Sequence, residues 1–415
     1  MRFFFYSHDG MGLGHVRRHI AIASALHEAA PEIQILLATS VDEVASLGLP
    51  PNVDTLKLPG LRKVGNTQYT PRKLGIPSGE MRNLRSAILC EAVREFRPGV
   101  VLVDKHPLGA AGEMVPALKI AKASGARLVL GLRDILDDPA AVIEEWARDR
   151  LLERICDYYD LALVYGVRSV FDPVQQYSLP IELAARTRYC GYVVNHALCT
   201  WCNDSCPHLN LPEPVTHPSV LCTVGGGEDG FFLLKSFLQA SKNAPWKGII
   251  VTGPMLPENE LKVIRQMATD TGAVVQPFVP CLSNLFWTVD ALVCMGGYNT
   301  LLEALSRGVP TVCVPRVSPR SEQRMRASAF QDMGLLRMIT PDTVSPEGLK
   351  KEISTALAMK RTDLVEKANE ILNFDGADAS ASYLLTLLAD RHPYHRFNVS
   401  KAKSTSAKTI VAEHV

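Results

Sequence analysis

Short apolar runs alternate with longer amphipathic stretches along most of this chain. Apolar runs of four to six residues occur at 3–6, 99–103, 128–132, 219–224 and 291–294. Runs this short, each bounded by turn residues, predict buried strands, whereas an amphipathic stretch such as 20–26 predicts a helix. Strands that alternate with helices are typical of an α/β protein built on parallel sheets.

The strand predicted at 291–294 is followed by a tight turn, Gly296-Gly297, and then by a helical stretch. We expect Asn299 or Thr300 to cap this helix. The free N–H groups of its first turn, where the helix dipole is positive, would bind a phosphate. Glu303, about one turn in, could then reach a ribose hydroxyl. The alternative is an ordinary strand–turn–helix with a surface glutamate.

Other predicted strands of the second half also end in residues that could contact a ligand. The strand at 219–224 runs into three consecutive glycines, a strand at 274–279 ends in an aromatic residue, and a strand at 312–315 is followed by charged and amide side chains. Ligands of open α/β sheets bind at the carboxyl ends of strands. We therefore predict that one ligand contacts Gly225, Gly226, Gly227, Phe278, Val279, Leu282, Arg316, Glu322 and Gln323.

The first half begins with a strand at 3–6 and the loop His8-Asp9-Gly10-Met11-Gly12-Leu13-Gly14-His15. The glycine spacing does not fit a dinucleotide fingerprint, and the second strand lacks the acidic residue of an NAD site. Histidine ordinarily has the near-neutral pKa that a general base for a hydroxyl group needs, and His15 is the candidate. Asp104, at the end of the strand at 99–103, could orient it. The alternative is that His15 only caps the following helix.

These pieces together resemble the GT-B glycosyltransferases, and in particular their MurG-like branch. The resemblance is carried by the glycine loop at 10–19, by Gly225–Gly227, Phe278-Val279, Gly296-Gly297-Tyr298-Asn299-Thr300, Glu303-Ala304-Leu305, Gly308-Val309-Pro310 and Glu322-Gln323. It covers most of residues 1–392. It implies two Rossmann-like domains that face each other across a cleft, with a C-terminal helix crossing back to the first domain.

The resemblance also implies roles for the residues. A uracil base would lie on Phe278 and Val279, the ribose on Glu303, and the diphosphate on Gly296, Gly297, Asn299 and Thr300 with help from Arg316. His15 and Asp104 would be catalytic. Gly12, Gly14, Arg133 and Asp134 would shape the acceptor side. The expected activity is inverting, metal-independent transfer of a hexose or N-acetylhexosamine from a nucleotide-diphosphate sugar, expected to be UDP-linked, to a hydroxyl group of a glycan or lipid-linked acceptor.

Two other functions fit the same architecture. A non-hydrolysing sugar-nucleotide epimerase would need further acid/base carboxylates in the cleft. A non-catalytic nucleotide-sugar-binding subunit would usually lack either His15 or Glu303. No cofactor is expected, and no metal, because the chain contains no Asp-x-Asp motif. Cys199, Cys202 and Cys206 contain one CxxC pair without a second, so we interpret them as linker thiols rather than a zinc site.

Length and charge set the domain organisation. The 415 residues predict two domains, and the net charge of +1 gives no general attraction to nucleic acid. We expect an acceptor-side domain at 1–195, a linker at 196–218, a nucleotide-sugar domain at 219–375, a crossover helix at 376–392 and a disordered tail at 393–415. No apolar run is long enough to span a bilayer, and no signal peptide is recognisable, so a cytoplasmic location is expected.

The segment 59–85 is rich in basic residues, with Arg62, Lys63, Arg72, Lys73, Arg82 and Arg85 against a single Glu80. Such a run is most often a solvated loop. Its functional interpretation is a flexible acceptor loop that touches phosphates or the anionic inner face of a membrane.

Overall fold

The computed structural model describes residues 1–8, 13–64, 69–194, 217–279 and 282–389. Gly12, the cysteines at 199, 202 and 206, the predicted tail and nearly all of the predicted linker lie outside these ranges. The described chain forms two α/β domains, each built around a parallel sheet.

The first domain has a seven-stranded parallel sheet and a separate antiparallel hairpin. Its strands are β1 (Arg2–Ser7), β2 (Gln34–Thr39), β3 (Val53–Lys57), β4 (Leu61–Lys63), β5 (Tyr69–Pro71), β6 (Val100–Asp104), β7 (Arg127–Arg133), β8 (Leu161–Tyr165) and β9 (Thr187–Tyr189). The sheet order is β3-β2-β1-β6-β7-β8-β9, and β4 pairs with β5 as the hairpin. Its helices are α1 (Gly14–Ala29), α2 (Ser78–Phe96), α3 (Val115–Ala123), α4 (Pro139–Arg148), α5 (Leu151–Tyr158), α6 (Pro173–Gln176) and α7 (Ile181–Ala185).

The second domain has a six-stranded parallel sheet in the order β12-β11-β10-β13-β14-β15. Its strands are β10 (Ser219–Thr223), β11 (Lys247–Val251), β12 (Val274–Gln276), β13 (Ala291–Cys294), β14 (Thr311–Cys313) and β15 (Arg337–Met338). Its helices are α8 (Phe231–Ser241), α9 (Glu258–Thr271), α10 (Leu282–Leu285), α11 (Tyr298–Leu305), α12 (Glu322–Asp332), α13 (Pro346–Leu357), α14 (Arg361–Ile371) and α15 (Gly376–Ala389).

Both central strands are apolar because helices cover both faces of each sheet. The side chains of β1 and β13 are almost completely buried from Phe3 to Tyr6 and from Ala291 to Cys294. Parallel sheets covered on both sides need such continuous apolar runs, which is why these strands were recognisable from sequence.

The strand order reverses at one point in each sheet. In the first sheet this point lies between β1 and β6, where Ser7 is paired with Asp104. In the second it lies between β10 and β13, where Thr223 is paired with Cys294. Crevices outside the carboxyl ends of strands at such switch points bind ligands. The two switch points therefore locate the site.

The two domains are joined by a continuous apolar cluster that includes α1, α11 and α15. Helix α15 packs on α1 and contacts β6 of the first domain, which confirms the predicted crossover of the C-terminal helix. At its start, the Gly376 N–H donates to Tyr192 O at 3.1 Å. The interface is therefore a shared core rather than a loose hinge.

The basic segment at 59–85 differs from the predicted flexible loop. It contains the hairpin β4–β5 and the first turns of α2. Arg85 is fully buried, and its guanidinium donates to both carboxylate oxygens of Glu113 at 2.6 and 2.7 Å. Composition could not separate this arginine from its exposed neighbours, because its partner lies 28 residues away.

A second buried ion pair crosses the domain boundary. Arg326 on α12 donates from Nη2 to Asp134 Oδ1 at 2.6 Å and from Nε to Oδ2 at 2.9 Å. Both side chains are almost completely excluded from solvent. Two parallel hydrogen bonds between side chains excluded from solvent allow only a narrow range of geometries. The Arg326–Asp134 pair therefore fixes the orientation of the two domains.

Breaking this pair should destabilise the protein strongly. We expect Arg326→Met to lower the free energy of unfolding by about 3–5 kcal/mol, because Asp134 is left buried and unpaired. Urea unfolding measures the change. Arg337→Met, which removes a more exposed ion pair with Glu352, is the control and should cost about 1 kcal/mol or less. Equal losses in the two variants would contradict the structural role of the Arg326–Asp134 pair.

Candidate functional site

A cavity of about 250 Å³ opens between the carboxyl ends of the two sheets. It collects most of the residues singled out from sequence. From the first domain it is lined by Gly14, His15 and Arg133, and from the second by Gly225, Gly226, Gly227, Phe278, Val279, Leu282, Gly297, Asn299, Thr300, Arg316, Glu322 and Gln323. Asp104, Asp134, Gly296 and Glu303 are not part of its lining.

The turn after β10 requires glycine for steric reasons. Gly227 has φ +97°, and a Cβ atom there would lie 2.4 Å from Thr252 O. Gly253 faces it with φ +84°, and a Cβ there would lie 2.3 Å from Gly225 O. The two backbones therefore touch directly, which opens the turn at Gly225–Gly227 to a ligand without side chains in the way.

The turn after β13 leads directly into α11. Gly296 has φ +78°, and the helix begins at Tyr298 with Gly297 as its N-cap and no capping side chain. The expectation that Asn299 or Thr300 caps this helix is therefore wrong. Asn299 instead donates from Nδ2 to Gly14 O at 3.1 Å, across the cleft. An uncapped N-terminus at the cavity wall can bind an anion through its N–H groups.

His15 and Asp104 form the pair expected from sequence. The distance from His15 Nδ1 to Asp104 Oδ2 is 2.9 Å, and Asp104 is fully buried. Burial alone would raise the pKa of Asp104, but the Arg18 guanidinium and the His15 ring hold it well below its usual value. An ionised carboxylate only accepts hydrogen bonds, so we assign the proton of His15 to Nδ1 and take Nε2 as the basic nitrogen. Arg18 Nη2 also lies 3.2 Å from Nδ1, and in this tautomer its hydrogen is directed to Asp104 instead.

Sequence reasoning missed Arg18, which completes this network. Its Nη2 donates to the same oxygen, Asp104 Oδ2, at 2.8 Å. Its guanidinium carbon lies 5.2 Å from the ring centre of Tyr165 and 5.0 Å from that of Tyr298. Its partners lie on three distant elements, so the sequence of α1 alone could not identify its role.

Glu303 is placed differently from the expectation. Its carboxylate is buried and bound by Arg17 of the first domain, whose Nη2 lies 2.9 Å from Oε1 and 3.0 Å from Oε2. Burial raises the pKa of Glu303, against the opposing effect of Arg17 and Arg307. Glu303 therefore lies in the predicted helix, about one turn past its start, but its carboxylate is already bound by an arginine of the facing domain.

Arg316, Glu322 and Gln323 form one bonded group at the cavity wall. Arg316 contacts Asp229 at 3.2 Å and Glu322 at 3.1 Å, and its backbone N–H donates to Gln323 Oε1 at 3.1 Å. Burial would raise the pKa of Glu322, but Arg133 and Arg316 hold it below its usual value. The charge of Arg316 is thus already balanced by two carboxylates.

The aspartates after β7 have structural partners. Asp134 is held by Arg326, so its expected role on the acceptor side is not supported by its contacts. Asp137 accepts from Ser321 N at 2.7 Å and Asp138 accepts from Ala140 N at 3.0 Å, where it caps α4. Arg133 does line the cavity, and burial lowers its pKa.

Residues 221–381 match the glycosyltransferase family 28 C-terminal domain. An uncharacterized glycosyltransferase of Methanosarcina acetivorans is 23% identical over 369 residues, which cover 86% of this chain and 92% of that protein. The UDP-N-acetylglucosamine--N-acetylmuramyl-(pentapeptide) pyrophosphoryl-undecaprenol N-acetylglucosamine transferase of Halalkalibacterium halodurans is 26% identical over 105 residues, 25% of this chain and 29% of that protein.

Two solved structures show the same architecture. MurG of Acinetobacter baumannii has a TM-score of 0.56 at 15% identity and covers 94% of this chain and 100% of its own. The calicheamicin glycosyltransferase CalG4 has a TM-score of 0.60 at 16% identity, with 94% and 99% covered. The fold and the domain match define a glycosyltransferase of the GT-B class. Within that class the chain is similar to MurG, and residues 221–381, on its second sheet, match the family 28 C-terminal domain.

The described residues contain neither a helix suited to span a membrane nor a cluster suited to hold a metal. No helix there combines the length and apolar character needed to cross a bilayer. No group of three or more histidine, cysteine, aspartate or glutamate side chains in the same part of the chain is placed to hold a metal ion.

His19 generates a pH prediction. It is fully buried against Phe5, and burial lowers its pKa from 6.5 to about 3. The unfolded chain therefore binds a proton below pH 6.5 that the folded chain does not, so His19 reduces stability as the pH falls. Between pH 7 and pH 5, the free energy of unfolding should fall by about 2 kcal/mol less in His19→Leu than in the wild type. Urea unfolding at both values tests this. Exposed His217→Leu is the control, and parallel pH curves for His19→Leu and the wild type would contradict the prediction.

Proposed function

We propose that the protein is an inverting, metal-independent transferase that moves a hexose or N-acetylhexosamine from a UDP-sugar to a hydroxyl group of a lipid-linked acceptor or cell-envelope glycan. The observation that carries this proposal is the His15–Asp104 contact of 2.9 Å in the wall of the cavity. The second domain supplies the other wall, with the Gly225–Gly227 turn and the start of α11. A base and an anion site therefore share one cavity.

The donor would lie on the second domain. Phe278, Val279 and Leu282 provide an apolar surface for the nucleobase, and Glu303 is the ribose ligand that the family resemblance implies. The diphosphate fits the N-terminus of α11, at Gly297 and Thr300. The Halalkalibacterium halodurans protein is named for a UDP-N-acetylglucosamine donor, which supports uracil as the base.

In the reaction we propose, His15 Nε2 takes the proton of the acceptor hydroxyl while its oxygen attacks the anomeric carbon. The bond from that carbon to the diphosphate oxygen breaks on the opposite face, and both electrons leave with UDP. Asp104 stabilises the imidazolium that forms. Backbone N–H groups and the dipole of α11 stabilise the charge that develops on the leaving diphosphate. Attack and departure on opposite faces invert the configuration.

The first test of this mechanism is removal of the base. We expect His15→Ala to lower turnover of a UDP-sugar by about 100- to 10,000-fold, because base catalysis contributes that much. UDP affinity should stay nearly unchanged, since the nucleotide lies on the other domain. Turnover by product chromatography and affinity by calorimetry separate the two effects. His8→Ala is the parallel variant, because His8 is the rival base. Loss of turnover only in His8→Ala would transfer the role to His8.

Metal independence is a separate part of the proposal. The N–H groups at α11 and nearby arginines would carry the charge that a divalent cation carries in other enzymes. We expect transfer to continue at an undiminished rate in EDTA. Loss of activity that Mg²⁺ or Mn²⁺ restores would overturn this part of the mechanism.

We also propose that the first domain touches an anionic membrane surface on the cytoplasmic side. Val64, Leu74 and Leu84 are 54%, 48% and 41% exposed, and the exposed residues Arg62, Arg72, Lys73 and Arg82 each lie within two sequence positions of one of them. Exposed apolar side chains with basic neighbours suit a surface of acidic lipids.

Vesicle binding tests this surface. Arg62→Glu with Arg82→Glu should weaken sedimentation with phosphatidylserine vesicles by about tenfold or more, since each basic residue near such a surface is worth about 1 kcal/mol. The matched control, Lys262→Glu with Arg265→Glu on α9, should bind like the wild type. Equal binding by all three proteins would place the contact elsewhere or exclude it.

The epimerase and the non-catalytic subunit are distinguished by products. Labelled UDP-sugar with a lipid or glycan extract should give a labelled, extended acceptor and UDP. A changed sugar still attached to UDP, formed without any acceptor, would indicate an epimerase, and an unchanged donor would indicate a binding subunit.

A further inference from the structure

Helices α1 and α11 begin side by side at the cavity, although they belong to different domains. Asn299 Nδ2 donates to Gly14 O at the first turn of both helices. One turn further along, Arg17 of α1 meets Glu303 of α11. Both N-termini, with their positive dipole ends, therefore face the space proposed for the diphosphate.

The Arg17–Glu303 contact occupies both oxygens of the carboxylate, at 2.9 and 3.0 Å from one guanidinium nitrogen. The side chains are only 11% and 3% exposed. Arg17 lines the cavity but Glu303 does not, so the guanidinium covers this carboxylate on the cavity side. A ribose can reach Glu303 only if the guanidinium moves aside, and the donor and Arg17 therefore compete for one carboxylate.

Arg316 and Arg18 at the cavity are paired with carboxylates other than the proposed ribose ligand, whereas the partner of Arg17 is that ligand. Arg316 is balanced by Asp229 and Glu322, and Arg18 is held by Asp104. Arg17 has Glu303 as its carboxylate partner, and its buried Nε makes no hydrogen bond within the described part of the chain. Once the ribose takes Glu303, Arg17 is a buried cation with unused donors in the wall of the cavity.

We propose that Arg17 is a catalytic residue recruited by the donor. The ribose hydroxyls displace its guanidinium from Glu303, and it moves to the diphosphate, where it stabilises the charge on the leaving group. Arginine binds phosphate oxygens well because its planar fork matches their geometry. This inference rests on the proposed function, since it takes Glu303 as the ribose ligand.

The proposal explains how one acidic and one basic group can share a site. Before the donor binds, Arg17 and Glu303 neutralise each other at the domain boundary. After it binds, Glu303 has neutral hydroxyl partners and Arg17 an anionic one. The positive charge thus reaches the diphosphate only when the ribose is in place, and it comes from the domain that also carries His15.

Uridine and UDP separate the two halves of the proposal. Uridine reports the competition for Glu303 alone, whereas the ratio of the uridine and UDP dissociation constants reports the contact with the diphosphate. We expect Arg17→Met to bind uridine about threefold or more tighter than the wild type. In this variant the uridine dissociation constant divided by the UDP dissociation constant should fall by about tenfold or more, because the charge-assisted contact of Arg17 with the diphosphate is lost. Arg17→Lys, which keeps the charge, should lie between the two.

Calorimetry of each variant with both ligands measures these constants, and turnover of a UDP-sugar in Arg17→Met should fall by about tenfold or more. Arg320→Met, which removes another arginine that pairs across the domains with Asp137 and Glu145, is the matched control and should leave both constants unchanged. An unchanged or weaker uridine affinity in Arg17→Met would exclude the competition. An unchanged ratio would exclude the move to the diphosphate.

The same titrations distinguish this inference from the function on which it rests. Glu303→Gln should weaken uridine and UDP alike, since both contain the ribose. If the wild type binds neither ligand, the proposed donor site fails and this inference fails with it. If the wild type binds UDP and Glu303→Gln weakens it, but Arg17→Met behaves like the wild type, only the role of Arg17 is excluded.

Discussion

The side chain of Tyr298 connects the two domains at the point where α11 begins. Its hydroxyl donates to Tyr165 O at 2.9 Å and accepts from Val193 N at 3.1 Å, both in the first domain. The guanidinium groups of Arg18 and Arg326 lie 5.0 and 5.4 Å from its ring centre. Burial raises the pKa of Tyr298, so the hydroxyl stays protonated and keeps donating. The position of α11 relative to the first domain depends on these contacts.

The same contacts also hold His15 and the start of α11 in place. Arg18 is bound to Asp104, which in turn orients His15, and Arg326 is bound to Asp134 at the end of β7. Charged groups buried this deeply are stable only when paired, because the energy of removing them from water is large. Each arginine therefore ties the start of α11 to an aspartate of the first domain. The cavity between them keeps its shape as long as both pairs persist.

Local patterns predicted the parts of this structure that depend on local sequence. The apolar runs of β1 and β13 and the glycine turns that follow them were recognisable because burial and backbone conformation restrict the residue types there. The His15–Asp104 contact followed from the rule that adjacent parallel strands end at one edge. Short, half-exposed β3 gave no comparable signal, because none of its residues is fully buried and it has no continuous apolar run.

Contacts between distant residues were not predictable. Arg17 and Glu303 are 286 positions apart, and Arg326 and Asp134 are 192 apart. Neither residue type nor spacing in a single sequence identifies such partners. The capping prediction for α11 was wrong because the helix begins at Tyr298, which places Asn299 inside the first turn rather than at the N-cap. The amide of Asn299 instead donates to Gly14 O of the first domain. Tertiary contacts thus decided the roles of the charged and amide side chains around the cavity.

The central claim is that a base on one wall and a leaving-group site on the other act on opposite faces of the sugar. Proton NMR of the first product formed from an α-linked UDP-sugar tests it most directly. Water can serve as a slow acceptor, so the identity of the natural acceptor is not needed. The account predicts that the β-anomer appears first, before mutarotation mixes the two forms. First appearance of the α-anomer would contradict the arrangement of His15 and α11 described above.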